Sequence, residues 1–155
     1  MVRQLFVDIF NMAFLQELMK SKNETLAAIA AKSIKETRYH LRRSHEWVVK
    51  LGDGTEESHK RTQDALDALW GYRIEMFELY ELEQQLADAG IGVDNAKLKD
   101  AWDQQLTEIL SEATLEVPTE EWAVRGGRIG YHTENLGHLL TDLQFVHRSM
   151  PGLKW

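Results

Sequence analysis

The pattern of apolar and polar positions along the chain predicts helices and no strands. Apolar residues recur at helical spacing over residues 23–51, 55–89 and 94–113, and again from residue 133 until the proline at position 151. Leu136, Leu139, Leu140, Leu143 and Val146 share one side of the last of these helices. Nowhere does a sustained two-residue alternation indicate a strand. The pattern therefore predicts an all-α fold.

Residues typical of helix ends bound these segments. Asn23, Thr55 and Asp94 are N-cap residue types, because their side-chain oxygens can accept hydrogen bonds from the first turn of a helix. Gly-Asp-Gly at 52–54 and Gly-Ile-Gly at 90–92 are typical of helix C-termini. Thus the sequence predicts one long helix from residue 55 to about residue 89, and an irregular connection around Pro118 and Gly126-Gly127 before the last helix.

Residues 1–19 are apolar on almost every side of the helix that they predict. Such a helix belongs in the middle of a larger core. Asp8 and Asn11 interrupt the run, and no cleavage pattern follows, so neither a signal peptide nor a membrane span is favoured. Because the segment opens without a capping residue, we expect that preceding helices are missing from the chain or are supplied by a partner.

Composition narrows the possibilities. With 155 residues, 43% of them hydrophobic, the chain fits one domain over residues 1–155. The net charge is −7 and no basic block stands out, so nucleic acid is not expected as a partner. Cysteine is absent, which excludes disulfides and thiolate metal sites and suits a cytoplasmic protein.

The strongest chemical signal is a displaced metal-binding signature. Glu-x-x-His places a carboxylate and an imidazole on one helix face, as in di-iron helical bundles. Here Tyr39 stands at the third position after Glu36, and His40 follows one residue late. Helix periodicity favours an inward His40, whereas the frame of the motif puts Tyr39 in the ligand position. Both alternatives stay open.

A two-metal site needs about six ligands from four helices, and this helix offers one Glu and one His at most. We therefore expect no bound metal or other cofactor, with Glu36 and His40 hydrogen-bonded across one helical turn in a filled core. Glu134 and His138 repeat the same i,i+4 spacing near the C-terminus and are weaker candidates.

The predicted helix 55–89 carries two apolar faces and a row of acidic residues. One apolar face includes Leu66, Trp70 and Phe77, and the other comprises Tyr72, Met76, Leu79 and Leu86. A helix with two apolar faces requires more neighbours than this chain provides, so the second face is predicted to pack on a partner. Glu75, Glu78 and Glu81 have no accompanying histidine, and they predict a solvated acidic edge or a rim that contacts a partner.

Several segments, in order along nearly the whole chain, resemble the phenylacetic acid degradation protein C family. They are AAIAAKSIKETRYHLR (27–42), LGDGT (51–55), EATLEVP (112–118), GGR (126–128), HTE (132–134) and PGLKW (151–155). The family is longer at its N-terminus, and its first bundle helices have no counterpart in this chain.

The resemblance implies a ferritin-like helical bundle and a non-catalytic structural subunit of the multicomponent ring-1,2-phenylacetyl-CoA epoxidase. It also implies a partner, the related catalytic subunit that holds the di-iron site. Two alternatives remain: a minimal di-iron oxidase that uses Glu36, His40, Glu134 and His138, and an oligomeric helical scaffold protein. The oxidase requires those four residues to converge, and the scaffold predicts a homo-oligomer. No interaction with a membrane is expected.

Overall fold

The computed structural model describes residues 1–119 and 122–154, and within these residues every regular element is helical. The all-α, ferritin-like helical bundle predicted from the sequence is confirmed. The α-helices are α1 (Val2–Leu18), α2 (Glu24–Gly52), α3 (Glu56–Leu69), α4 (Glu81–Asp88), α5 (Lys99–Glu112) and α6 (Glu134–Ser149). Short 3₁₀ segments cover Trp70–Phe77, Asn95–Leu98 and Gly127–Ile129.

The core forms around α1, which packs against α2, α3 and α5. Leu5 and Ile9 of α1 are almost completely buried, and so is Trp102 of α5. The Trp102 indole Nε1 donates a hydrogen bond to the Phe6 carbonyl (3.0 Å), and the two aromatic rings meet edge to face. Burial of a side chain of this size contributes about 2 kcal/mol, so this cluster contributes strongly to folding.

A buried polar contact joins α1 to α2. Asp8, which interrupts the apolar sequence of α1, is only 3% exposed. Its carboxylate accepts hydrogen bonds from the Ser44 hydroxyl (2.7 Å) and from the Gln4 side-chain amide (2.7 Å). A buried carboxylate without such donors would be costly, so the contact favours one alignment of the two helices.

The long helix α2 has the ends that its sequence predicts. The Asn23 side chain accepts a hydrogen bond from the Leu26 backbone amide (3.1 Å) and caps the helix. At the other end, Gly52 lies against α5, where an added Cβ would approach the Ala113 carbonyl oxygen to 2.4 Å. Only glycine fits this contact without a shift of the backbone.

The prediction of one helix from residue 55 to about residue 89 is wrong. Helix α3 ends at Leu69, a 3₁₀ segment follows, and Glu78 is extended before α4 begins. At the end of α3, two backbone carbonyls accept hydrogen bonds from groups other than the amides of a continuing helix. The Trp70 carbonyl accepts from the Arg73 guanidinium (2.6 Å), and the Gly71 carbonyl accepts from the Val124 backbone amide (3.2 Å).

This break also removes the second apolar face predicted for the segment. Tyr72 and Leu86 are exposed, whereas Met76 packs against the core and Leu79 is partly buried. The four side chains therefore do not form one continuous face. The first apolar face is retained, because Leu66, Trp70 and Phe77 are buried in spite of the irregular backbone.

The third predicted helix begins later than the sequence indicates. The Asp94 side chain accepts a hydrogen bond from the Ala96 amide (3.2 Å), but it caps the 3₁₀ turn Asn95–Leu98, and α5 follows from Lys99. Leu98, Leu106 and Leu110 are buried as their helical spacing predicts.

A glutamine of α3 holds the start of the connection after α5. The Gln63 side chain of α3 donates to the Glu116 carbonyl (2.9 Å) and accepts from the Glu116 amide (2.9 Å). Just before this point Thr114 adopts a left-handed backbone conformation (φ 57°). The segment after α5 is therefore tied to α3 by backbone-directed hydrogen bonds.

None of the sixteen residues of α6 is buried, which is also true of the short helix α4. Leu136 of α6 is partly covered, and every other residue of α6 is exposed. In the part of the chain that the structure describes, no helix combines the length and apolar character needed to span a membrane.

Two glycine substitutions test the packing of α2 on α5. Gly52→Ala is expected to lower the free energy of unfolding by about 1–3 kcal/mol, because its Cβ would overlap the Ala113 backbone. Gly137→Ala on α6 is the matched control, since nothing lies within 4 Å of the added Cβ. It is expected to be neutral or to stabilise by up to about 1 kcal/mol. Urea unfolding of both variants measures the difference, and equal stabilities would contradict the close contact.

Candidate functional site

Glu36, Tyr39 and His40 lie on the solvent side of α2. Glu36 and His40 are in contact at the surface. His40 Nε2 is 3.5 Å from Glu36 Oε1, and the side chains of His40 and Glu36 are 48% and 80% exposed, respectively. The predictions of an inward His40 and of a filled core around this pair are therefore wrong. Tyr39 is also exposed, at 51%, so the alternative ligand position does not face the core either.

The direction of the buried side of α2 explains this outcome. The buried residues are Ala30, Ile34, Ser44, Val48 and Gly52, with Leu41 partly buried. Each residue advances about 100° around a helix, so His40 is turned well away from its neighbour Leu41. The helix periodicity that predicts an inward His40 counts Ile29 among the apolar positions of α2, but Ile29 is 53% exposed. Counting Ile29 extends the apolar side of the helix as far as His40.

Glu134 and His138 lie on α6, where both side chains are exposed. Within residues 1–119 and 122–154, no three His, Asp or Glu side chains lie close enough together to hold a metal ion. Glu36, His40, Glu134 and His138 therefore do not converge, and these residues do not fit the two-metal site that the fold family implies.

The prediction that the acidic residues after α3 form a solvated edge is wrong. These residues instead hold a turn in place. Arg125 pairs with the Glu78 carboxylate, and the Gly127 backbone amide donates to the Glu75 carboxylate. Arg128 donates to the Glu78 carbonyl (2.9 Å) and pairs with the Glu83 carboxylate. Only Glu81 of the predicted edge is exposed.

Two glycines give this turn its shape. Gly126 and Gly130 have φ values of 93° and 96°, which side chains other than glycine rarely adopt. The part of the predicted irregular connection around Gly126-Gly127 therefore forms a defined turn, which brings Arg125 and Arg128 to the acidic segment. Residues 120 and 121 of the predicted connection lie outside the described residues.

Tyr80 lies where this turn meets α4. Its hydroxyl contacts the Glu78 carboxylate (3.2 Å), and the Arg128 guanidinium lies over its ring, 5.4 Å from the centroid. Loss of hydration, followed by the hydrogen bond and the negative charge of Glu78, raises the pKa of the Tyr80 phenol.

A cleft of about 430 Å³ opens beside this turn, and we call it the Asn95 cleft. Phe10 and Phe14 of α1 and Met76 of the 3₁₀ segment line it, together with Asn95. Sequence analysis missed Asn95, because the residue only follows the capping aspartate and has no motif around it. Its position was not predictable without knowledge of the break after α3.

Helix α6 presents an exposed apolar surface. Leu139, Leu140, Leu143 and Val146 lie on one side of the helix and are each at least 40% exposed. We call these four residues the α6 apolar face. Large apolar patches of this kind are typical of surfaces that bind another protein.

Comparison with known proteins finds a matching family and a similar protein. The family described as phenylacetic acid catabolic protein matches residues 1–155. The chain is 42% identical over 153 residues to a subunit of the 1,2-phenylacetyl-CoA epoxidase of Escherichia coli (strain K12). The match covers 99% of this chain and 62% of that protein, so the chain spans less than two thirds of the length of this relative.

The raised pKa of Tyr80 predicts a pH dependence of stability. The folded state favours the neutral phenol, so this contribution is complete below about pH 10 and is lost as the pH rises through the higher folded pKa. Tyr80→Phe removes the phenol hydroxyl. Between pH 9 and 11 the free energy of unfolding of this variant should therefore fall less than that of the wild type. Urea unfolding across this range is the measurement. Tyr131→Phe, at a residue that is 74% exposed, is the control and should behave as the wild type.

Proposed function

Since the chain belongs to the phenylacetic acid catabolic protein family, we propose that it is a non-catalytic structural subunit of a multicomponent ring-1,2-phenylacetyl-CoA epoxidase. In this proposal it pairs with the related di-iron catalytic subunit in phenylacetate catabolism. It stabilises that subunit and does not itself activate oxygen. The relative from Escherichia coli is one subunit of an epoxidase, which supports the existence of such a partner.

The arrangement of the candidate ligands supports the non-catalytic part of the proposal. Glu36 and His40 point to solvent on α2, whereas Glu134 and His138 lie on the exposed α6. A di-iron site needs carboxylates and imidazoles that project together into a bundle interior. No step of oxygen chemistry can therefore be assigned to these four residues, and the minimal di-iron oxidase loses its proposed site.

The main support for pairing with the catalytic subunit is the α6 apolar face. A sixteen-residue helix with no buried residue gains little stability from its own hydrogen bonds in water. Burial of Leu139, Leu140, Leu143 and Val146 against a partner subunit would supply the missing stabilisation, at about 25 cal/mol for each Å² of apolar surface removed from water. A second copy of the chain, as in the scaffold alternative, would use the same face.

Metal analysis tests the non-catalytic role. The purified chain, reconstituted with Fe²⁺ without oxygen, is expected to retain less than one iron per chain after desalting, because the candidate ligands do not converge. The double variant Glu36→Gln/His40→Gln should retain as much iron as the wild type. Two tightly held irons per wild-type chain, lost in the variant, would refute the proposal.

Substitutions in α6 test the pairing. Leu139→Gln/Leu143→Gln is expected to weaken the complex with the catalytic subunit at least tenfold, because it replaces two apolar side chains of the contact with polar ones. The control Thr141→Gln/Arg148→Gln lies on the opposite side of α6 and should bind as the wild type does. Titration calorimetry measures the affinity, and sedimentation of each chain alone separates a homo-oligomer from the mixed complex.

The outcomes of this experiment are distinguishable. Failure of the wild-type chain to bind the catalytic subunit would contradict the proposed function. Equal binding by the leucine variant and the wild type would leave the pairing in place and exclude the α6 apolar face from the interface. Because α6 contributes no buried residue, both variants should keep the circular dichroism and the unfolding midpoint of the wild type.

A further inference from the structure

The solvent side of α2 collects positive charge on a chain that is negative overall. Six Lys and Arg residues lie on this helix against three Glu residues, whereas the whole chain carries a net charge of −7. All six cations are exposed, and we call them the α2 cationic face: Lys32, Lys35, Arg38, Arg42, Arg43 and Lys50. Because they are spread over several helical turns, they do not form a basic block in the sequence.

The cations of α2 are not used within the molecule. In residues 1–119 and 122–154, seven other Lys and Arg side chains form ion pairs with carboxylates, and none of the α2 cationic face does. Glu36, which lies among these cations, is in contact with His40 instead. Lys35, Arg38 and Arg42 follow one another at the i,i+3 and i,i+4 spacings at which like charges destabilise a helix. An acidic partner would relieve this repulsion.

Two exposed aromatic side chains lie next to the cations. Tyr39 is 51% exposed and Trp47 is 41% exposed. The Arg42 guanidinium lies 5.5 Å from the centroid of the Tyr39 ring, and Lys50 Nζ lies 5.9 Å from the centroid of the Trp47 ring. Tyr, Trp and Arg are the residue types most enriched among those that dominate protein–protein binding. The side chains on this face therefore indicate a protein partner.

The distribution of charge distinguishes an acidic protein from other partners. A nucleic acid or an anionic membrane presents negative charge over a wide area, so it would also meet the negative remainder of the chain. A second copy related by a twofold axis through α2 would place the α2 cationic face against itself. A protein whose acidic patch contacts α2 alone avoids both repulsions.

The complex of the proposed function also needs more surface than α6 supplies. The α6 apolar face has four residues, whereas a stable interface uses about 20–30 residues on each partner. Helix α2 has 29 residues and is therefore about 44 Å long, and its exposed side offers a second contact of sufficient length.

We propose that the α2 cationic face is a docking surface for an acidic patch on the catalytic subunit, with Tyr39 and Trp47 as its aromatic anchors. This inference rests on the proposed function, and it adds a charged contact to the apolar contact on α6. The displaced Glu36–His40 motif then lies in a protein interface and not in a metal site.

Charge reversal on α2 tests the proposal with the full-length chain and the purified catalytic subunit. Arg42→Glu/Arg43→Glu is expected to weaken the complex at least about tenfold, because two cations are replaced by anions that face carboxylates. Lys60→Glu/Arg61→Glu on α3 changes the net charge by the same amount at two exposed positions and is the matched control. The control should bind within about twofold of the wild type, since exposed ion pairs contribute little. Biolayer interferometry measures both rate constants.

Salt separates docking through charge from a structural effect of the substitution. The association rate constant of the wild type should fall at least about fivefold between about 50 mM and about 500 mM NaCl, because salt screens the attraction between charged surfaces. Arg42→Glu/Arg43→Glu should lose most of this dependence, whereas the α3 control should keep it. A variant that was only less stable would keep the salt dependence of the wild type.

A third variant tests the aromatic contact without a change of charge. Tyr39→Ala keeps all six cations and is expected to raise the dissociation rate constant at least about fivefold. Tyr131→Ala, at a residue that is 74% exposed, is the control and should dissociate as the wild type does. Unchanged dissociation of Tyr39→Ala would contradict the role of Tyr39 as an anchor.

The remaining outcomes are distinguishable. Failure of the wild-type chain to bind the catalytic subunit would contradict the proposed function and this inference with it. Binding of Arg42→Glu/Arg43→Glu with the affinity and salt dependence of the wild type would overturn the docking surface alone. So would equally tight binding of the wild type to a single-stranded oligonucleotide or to phosphatidylserine vesicles at about 150 mM NaCl. A change in the oligomeric state of the chain alone on charge reversal, measured by sedimentation, would assign the face to a second copy and also overturn the proposal.

Discussion

Burial of α1 against α2 and α5 is the contact on which the other features of this molecule depend. Trp102 of α5 contacts Phe6 of α1 with its ring and donates to the Phe6 carbonyl through its indole nitrogen. Its ring also meets Phe77 edge to face, which anchors the end of the 3₁₀ segment to the same cluster. One buried tryptophan therefore fixes α1 relative to α5 and holds the irregular segment that lines the Asn95 cleft.

Local sequence signals predicted the helices and several of their ends. Asn23 caps α2 as its residue type indicates, and the apolar first segment does form a helix in the core. The break after Leu69 was not predictable in the same way. Gly71 is a local signal of it, but a single glycine is tolerated inside a helix, and the Val124 amide that binds the Gly71 carbonyl comes from 53 positions later in the chain.

The candidate site shows the same division between local and distant causes. The spacing of Glu36 and His40 correctly indicated a contact across one turn, yet it could not show which side of α2 faces the core. That direction is set by Ile34, Ser44 and Val48 together, and Ser44 faces inward partly because it binds Asp8 of α1. The predicted apolar side of α2 left out Ile34, which is buried on the side away from His40, and counted Ile29, which is exposed, so the orientation of His40 was misjudged.

The link between Gln63 and Glu116 has a consequence for how related chains can vary. A carboxamide that meets one residue's amide and carbonyl reproduces the pairing of two neighbouring strands, although the chain around it is helical. Because both backbone groups of a single residue are engaged, the spacing between the end of α5 and position 116 is fixed to the residue. Insertions and deletions should be tolerated beyond this point far more readily than before it, so length variation among relatives is expected to concentrate after the glutamine contact.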